Sequence, residues 1–430
     1  MNKTILKLAI PNIISNITVP LLGAVDLAMM GHLNCLTSVA AIALGAMVFN
    51  FMYWAMGFLR MGTCGFTAQA YGAKDKQEEI LILFRSLFIA LCGATLLLIL
   101  QKPIIDAVFL WVKPESALAQ ATASYFYIRI WGAPAAIAAF AFSGWYIGMQ
   151  NTQTPMWIAI AINIFNVIFN YLFVFVWHFT SDGVAIGTVL AQYAGLGLNI
   201  WVLHWKYKTL LPLFNIHLWL KKSAMKRFLN INRDIFFRTL LIIAVFSSFT
   251  AESTKQGPVI LVLNTLLYQF FIFYSYAMDG FAHAAEALNG RFTGSGEGIQ
   301  KIRSVKSIFQ WGIVLSFAFV LAYLFGFNTI LSLFTTDSQI ISLAQPYLFW
   351  ILGITILGFP AFLWDGVYAG SLATKPMLYI MLISTIAFFA LYYSLLPYWG
   401  NHALWFALIS FLLLRGLTMS IFAKRYIFIK

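Results

Sequence analysis

The sequence predicts an all-α polytopic membrane protein, with about twelve transmembrane helices in two pseudo-symmetric six-helix lobes. Three observations carry that reading. Of the 430 residues, 61% are hydrophobic and only 10% charged, against about 25% charged in water-soluble domains. Mean hydropathy is +0.84. Finally, the lysines and arginines collect between long apolar stretches rather than on amphipathic faces. The formal charge of +13 would suit a nucleic-acid partner, but charges placed between apolar spans read as topology signals, so no nucleic-acid partner is expected.

Apolar runs long enough to cross a bilayer fall near 6–33, 37–71, 80–105, 117–150, 155–178, 182–207, 233–254, 257–290, 304–332, 341–372, 375–398 and 402–425. The first is expected to stay as a helix, since MNKTILKL lacks the short apolar core and cleavage site of a secretory signal. Pro11, Pro20, Pro134 and Pro360 lie inside spans and are candidate kinks. With the N-terminus inside, the inner segments hold Lys74, Lys76, Lys221, Lys222, Lys226, Arg227, Arg291, Arg303, Lys375, Lys424 and others, and the outer loops only Lys102, Lys113 and Lys255. Both termini are therefore expected on the cytoplasmic side. A basic connector, 208–232, separates an N-terminal lobe (1–207) from a C-terminal lobe (233–430), and its charges suit an anionic inner leaflet.

The halves echo one another. MGTCGFTAQAYG at Met61 aligns with MDGFAHAAEALNG at Met278, and GWYIGMQNTQTPM at Gly144 with DGVYAGSLATKPM at Asp365, separations of 217 and 221 residues. Parallel repeats around a midplane cavity are the arrangement expected of a secondary transporter.

Asp26 is the most telling single residue. A carboxylate within an apolar span costs several kcal/mol unless paired, protonated or hydrated. On a helical wheel it shares an arc of about 100° with Asn12, Ser15, Asn16 and Gly23, which suits an ion or proton site. The fifth span carries Asn163, Asn166 and Asn170 within about 60°; the sixth carries Thr188, Gln192, Gly195 and Asn199. Carboxylate, amide and hydroxyl oxygens serve a small hard cation or order water around an acid. Any one stripe could equally be helix–helix packing.

In the second half, Asn264, Tyr268, Ser275, Asp279, His283 and Glu286 share one face of the eighth span, and Asp365 lies in the tenth between Trp364 and Tyr368. Acids beside aromatic walls suit an amphipathic organic cation. Asn12, Asn16, Gln192, Tyr268, Asp279, His283 and Asp365 are thus candidates for lining the cavity or touching substrate. The structural alternative pairs Glu286 or Asp279 with one of Arg60, Arg129 and Arg415. The three cysteines, Cys35, Cys64 and Cys92, form no disulfide or metal pattern. His283 and Glu286 share a face without HExxH or a second cluster, and no phosphate loop or nucleophile elbow appears, so neither a metal, a cofactor nor an enzyme is expected.

LAIPNIISNITVPLLGAVDLAMMGHL and ALGAMVFNFMYWAMGFLRMGTCGFTAQAYGAKD, with DGVAIGTVLAQY, YAMDGFAHAAEALNG and LWDGVYAGSLATKPM, closely resemble the DinF branch of the MATE (multidrug and toxic compound extrusion) transporters. The resemblance runs from about residue 6 to the C-terminus. It implies two six-helix lobes, alternating access, and export of organic compounds driven by H⁺ or Na⁺. Asp26 resembles the coupling acid of the N-terminal lobe, and Asn166, Asn170 and Thr188 match the rest of that cation site. Many relatives carry a second acid just ahead of LFVF, where this chain has Asn170. A single charge should weaken Na⁺ binding, and a lone acid in a partly apolar site tends to a raised pKa, which suits H⁺ exchange. Some branches bind Na⁺ between acids of the seventh and tenth spans; here the seventh offers only Glu252, at its outer end. The expected function is efflux of cationic or amphipathic compounds by a monomer in the lipid bilayer, with H⁺ as coupling ion. Na⁺ coupling and a lipid-linked precursor flippase are the alternatives.

Overall fold

The computed structural model describes residues 1–31 and 36–428, and side chains within 1–18 and 37–428. Among the described residues the chain is helical throughout, with no strand. α1 (Asn2–Gly31) runs past Pro11 and Pro20 without a break. α2 (Leu36–Met56) and α3 (Phe58–Gly72) form the second span, interrupted at Gly57. α4 (Lys76–Ile99) is followed by a short helix α5 (Gln101–Val112), whose residues beyond 105 lie where the sequence predicts a loop. α6 (Ser116–Arg129) and α7 (Ala133–Gly148) are separated by a 3-10 turn at Ile130–Gly132, just ahead of Pro134. α8 (Gln153–Tyr171) and α9 (Ser181–Lys206) complete the first half.

The second half follows the one-turn helix α10 (Ile216–Trp219). It contains α11 (Lys222–Lys255), α12 (Pro258–Ser295), α13 (Gly298–Phe334), α14 (Ser338–Ala344), α15 (Leu348–Gly370), α16 (Thr374–Trp399) and α17 (Asn401–Ala423). Eleven stretches among the described residues are long and apolar enough to cross a membrane, beginning with Thr37–Gly72 and ending with Asn401–Phe428. α1 supplies a further long helix. The seventh span starts at Lys222 rather than near 233, so much of the expected connector is helix.

The chain forms two compact units, Ile14–Phe228 and Met1–Ile13 with Leu229–Lys430. The sequence reading had placed all of α1 with the first half. In the second unit, Gly280 of α12 leaves room for the Ile13 side chain and the Ala9 carbonyl, so the start of α1 packs there. In the first unit, Asn163 Nδ2 of α8 donates to the Thr18 carbonyl of α1 at 3.1 Å.

Within each unit the same construction recurs, with a period of 222 residues. Left-handed backbone occurs at Lys74 and Gly296, at Gln150 and Leu372, and at His178 and Gly400. The turn after α7 is a Schellman motif, Asn151 N–H to Tyr146 O (2.9 Å) and Gln150 N–H to Ile147 O (3.0 Å). The turn after α15 repeats it with Ala373 to Tyr368 and Leu372 to Ala369, both 2.9 Å. α3 packs on α7 as α12 does on α15, and α8 on α9 as α16 does on α17. Gly144 and Gly148 lie against the backbone at Arg60 and Cys64; Gly366 and Gly370 lie against Ala282 and Glu286. These are small-xxx-small seams, which let helices meet at backbone distance. The period differs from the 217 and 221 of the matched strings, because the contact that recurs is the glycine seam and not the shared Pro-Met.

The connector is held to the first unit by Arg85 of α4, whose side chain is buried. It donates to Glu78 Oε1 at 2.5 Å, to Trp219 O at 3.0 Å and to Leu218 O at 3.1 Å. Carbonyls at a helix C-terminus have no partner within the helix, and the guanidinium supplies one. Phe84 against Phe214 (4.4 Å) and Phe88 against Trp219 (5.6 Å) complete the clasp. Arg85→Ala removes these bonds at a cost of about 1–3 kcal/mol. The expected result is faster tryptic cleavage at the exposed Lys221 and Lys222 of the detergent-solubilised protein; an unchanged rate would refute the clasp.

Candidate functional site

In the first unit, α8 and α9 meet along their polar stripes. Asn170 Nδ2 donates to Asn166 Oδ1 (2.9 Å), Asn166 Nδ2 to Thr188 Oγ1 (3.0 Å), and Thr188 Oγ1 to the Val184 carbonyl (2.8 Å). All three side chains are buried. The i, i+4 spacing of Asn166 and Asn170 puts them on one helix face. Gly187 lets that face approach: a Cβ there would collide with Asn170 Oδ1 and meet its backbone nitrogen at 3.0 Å. The structure thus brings together Asn166, Asn170 and Thr188. Asp26 lies in helical backbone, and its side chain falls outside the described residues.

The rest of those stripes serve other contacts. Asn163 holds α1, as above. Asn199 donates to the Gly195 carbonyl (2.9 Å) of its own helix, and its own carbonyl accepts from the Tyr146 hydroxyl (3.1 Å). Gln192 is half-buried on α9, with Oε1 lying over Gly132, where any Cβ would collide with it. Arg129 stacks on Phe49, 4.8 Å from the ring centroid, and donates to the Tyr125 hydroxyl. Asn12, placed in the other unit, is buried and donates to the Leu8 carbonyl (2.9 Å) of its own helix, while Asn16 is half-buried.

In the second unit, Asp365 of α15 departs from the sequence reading. The sequence predicts a carboxylate available to an organic cation. Instead its Oδ2 accepts from Arg238 of α11 and from Arg415 of α17. Asp365 and Arg415 are buried, and Arg238 nearly so. An acid committed to two guanidinium groups cannot attract a third cation without losing one of them. Arg238 had not been singled out; the detectable signal was an arginine inside an apolar span.

Asp279 of α12 is half-buried and within electrostatic reach of Arg415 and Tyr276. His283 is half-buried one turn further along α12, and Glu286 is fully buried. Tyr268 belongs to an aromatic group, 5.7 Å from Phe249, 6.0 Å from Phe246 and 5.4 Å from Phe271. Asn264 forms a reciprocal amide pair with Asn401 (2.7 and 2.9 Å) and also meets Ser253 and Trp405. That fully used network ties α12 to α17 and reads as structural. Glu252 accepts from Lys255 (2.7 Å), Tyr393 (3.0 Å) and Tyr392 (3.1 Å).

Comparison with known proteins accords with this architecture. Residues 11–172 and 238–393 match the MatE family, two segments that fall in the two halves of the repeat. The chain is 35% identical over 429 residues to the DNA damage-inducible protein F of Escherichia coli, covering 99% of this chain and 92% of that protein. It is 23% identical over 410 residues to the probable multidrug resistance protein NorM of Thermotoga maritima, covering 89% and 83% of the two. Among solved structures, a MATE protein in the bent conformation superposes with a TM-score of 0.90 at 17% identity, covering 99% of this chain and 95% of the other. An outward-facing MATE transporter of the MOP superfamily gives 0.87 at 16% identity; at such identities the likeness concerns the fold. On the family match and the relative of 35% identity together, the chain belongs to the MatE family and is a membrane transporter.

Proposed function

We propose that the protein is a secondary antiporter that exports organic compounds, cationic or amphipathic, in exchange for H⁺. Relatives that carry the name multidrug resistance protein support the efflux reading. The single observation that favours H⁺ over Na⁺ is the state of the Asn166–Asn170–Thr188 chain. Asn166 Oδ1 already accepts an amide hydrogen, and Thr188 Oγ1 both accepts and donates. A Na⁺ ion would have to share these oxygens with the donors already on them, through the one lone pair each keeps, whereas a proton needs only one basic site. Asp26 is assigned that role. The pairing of Asp365 with Arg238 and Arg415 also disfavours a cation site in the second unit.

In this reading Asp26 takes up a proton from outside as substrate leaves, and loses it inside as substrate binds. Such exchange requires each ligand to prefer a different conformation. The location is the bacterial cytoplasmic membrane with both termini inside, and the functional unit is the monomer. The test is transport by purified protein in liposomes under an imposed pH gradient without Na⁺. Dye movement that follows the pH gradient is expected. Movement that requires a Na⁺ gradient and ignores pH would reverse the assignment.

A further inference from the structure

We infer that Arg238 and Arg415 form a binding site for an oxyanion carried by an amphiphile, with Asp365 as a resident counter-ion that the ligand displaces. The proposal rests on the transporter reading above and specifies a further class of compound for it. Two arginines converge on one oxygen, Asp365 Oδ2. The other oxygen, Asp365 Oδ1, is buried and has no hydrogen-bond partner among the described residues; the same holds for Nε of Arg238 and Nε of Arg415.

A purely structural ion network would be expected to satisfy its donors, since a buried polar group without a partner costs about 1–3 kcal/mol. Here two guanidinium groups each keep an unused donor, and the three-residue group carries one excess positive charge. Asp279 offsets that charge from α12 and lies in the same electrostatic neighbourhood. Guanidinium forks match carboxylate, sulfonate and phosphate geometry, and the match is bidentate where Nε and Nη both donate. An arriving oxyanion can use those Nε donors while Asp365 gives up one of its two partners.

The surroundings suit the apolar remainder of such a molecule. Arg415 lies 5.1 Å from the Phe411 ring centroid. Phe411 meets Phe246 at 6.5 Å, which in turn meets Tyr268 and Phe271. An aromatic tract therefore begins at the guanidinium. Asp279 and Arg238 are the members of the group that are not fully buried. The compounds implied are zwitterionic or anionic amphiphiles, beyond the cationic class.

Two dyes separate the oxyanion from the aromatic body: rhodamine B, with a free carboxylate, and its ethyl ester. Binding is read by fluorescence polarisation on the purified full-length protein in neutral detergent. Arg238→Gln is expected to weaken the acid dye about tenfold and the ester by less than about twofold. Equal losses for both dyes, or none for either, would overturn the site. Should Arg238→Gln fail to give a monodisperse protein, Arg238→Lys serves, since it keeps the charge and removes the guanidinium fork, with a selective loss for the acid dye again expected.

An exported solute and a phospholipid headgroup each carry such an oxyanion, and added phosphatidylglycerol distinguishes them. Competition with the acid dye that disappears in the arginine variant identifies the lipid phosphate; absence of competition identifies the solute. Both outcomes support the oxyanion site. If the selective binding holds but neither dye moves in liposomes, the antiport reading fails and the site stands.

Discussion

The Asp26→Asn protein is expected to reach the membrane folded and to export nothing. Asparagine keeps the shape of a protonated aspartate and removes its ability to charge. α1 is continuous helix through position 26, so the substitution asks nothing of the backbone. It also deletes a charge whose placement in an apolar span costs several kcal/mol, so stability should hold or rise. Exchange is lost because the side chain can no longer bind differently in two states. Swinging an equilibrium from 1:99 to 99:1 requires about 5.5 kcal/mol of differential binding, and a neutral amide has no protonation step to supply it. The check is dye efflux from cells at matched, size-exclusion-verified protein levels. A second readout is proton release on substrate binding in weak buffer, about one proton for the parent protein and none for the variant, as reciprocal linkage requires. Normal efflux by the variant would remove Asp26 from the mechanism.

What the sequence disclosed, and what it hid, follows from the range of the interactions involved. Span positions were legible because a helix in lipid satisfies its backbone alone and needs a continuous apolar run. Thr37–Gly72 and Thr374–Trp399 fall within a few residues of the expected 37–71 and 375–398. The start of the seventh span was misjudged because Lys222–Arg233 is basic, and charge density says nothing against helix outside the lipid. The grouping of Asn166, Asn170 and Thr188 was readable, since two of them share a helix face and α9 follows α8 directly. The pairing of Asp365 was not readable. Its partners lie 127 and 50 residues away, and no local period links them. Arg415 had been weighed only against Glu286 and Asp279. The repeat was visible in shared letters, but its true period required knowing which glycines carry backbone contacts.

That seam yields the other large expected effect. Gly366→Ala should destabilise the second unit and loosen the Asp365 group together. A Cβ on residue 366 would fall well inside 3.0 Å of the Ala282 carbonyl oxygen, a backbone atom that cannot rotate away. α12 and α15 must therefore separate. The seam is also fastened by Asn289 of α12, whose Nδ2 donates to the Val367 carbonyl (2.6 Å) and to Ser371 Oγ (2.5 Å). Separation lengthens both bonds and strips contacts along the pair. Overpacking of this kind costs about 1–3 kcal/mol, occasionally more. Asp365 is the adjacent residue on the same helix, so the shift also draws its carboxylate from Arg238 and Arg415. Gly144→Ala should behave alike in the first unit, since its Cβ would meet the Arg60 carbonyl. Gly197→Ala is the control: nothing lies within 4 Å of a Cβ there, and alanine is the better helix former. Thermal unfolding in detergent should show a clear drop in Tm for the two seam variants and none for Gly197→Ala. Equal melting of all three would mean that the glycines are not what holds these helices at backbone distance.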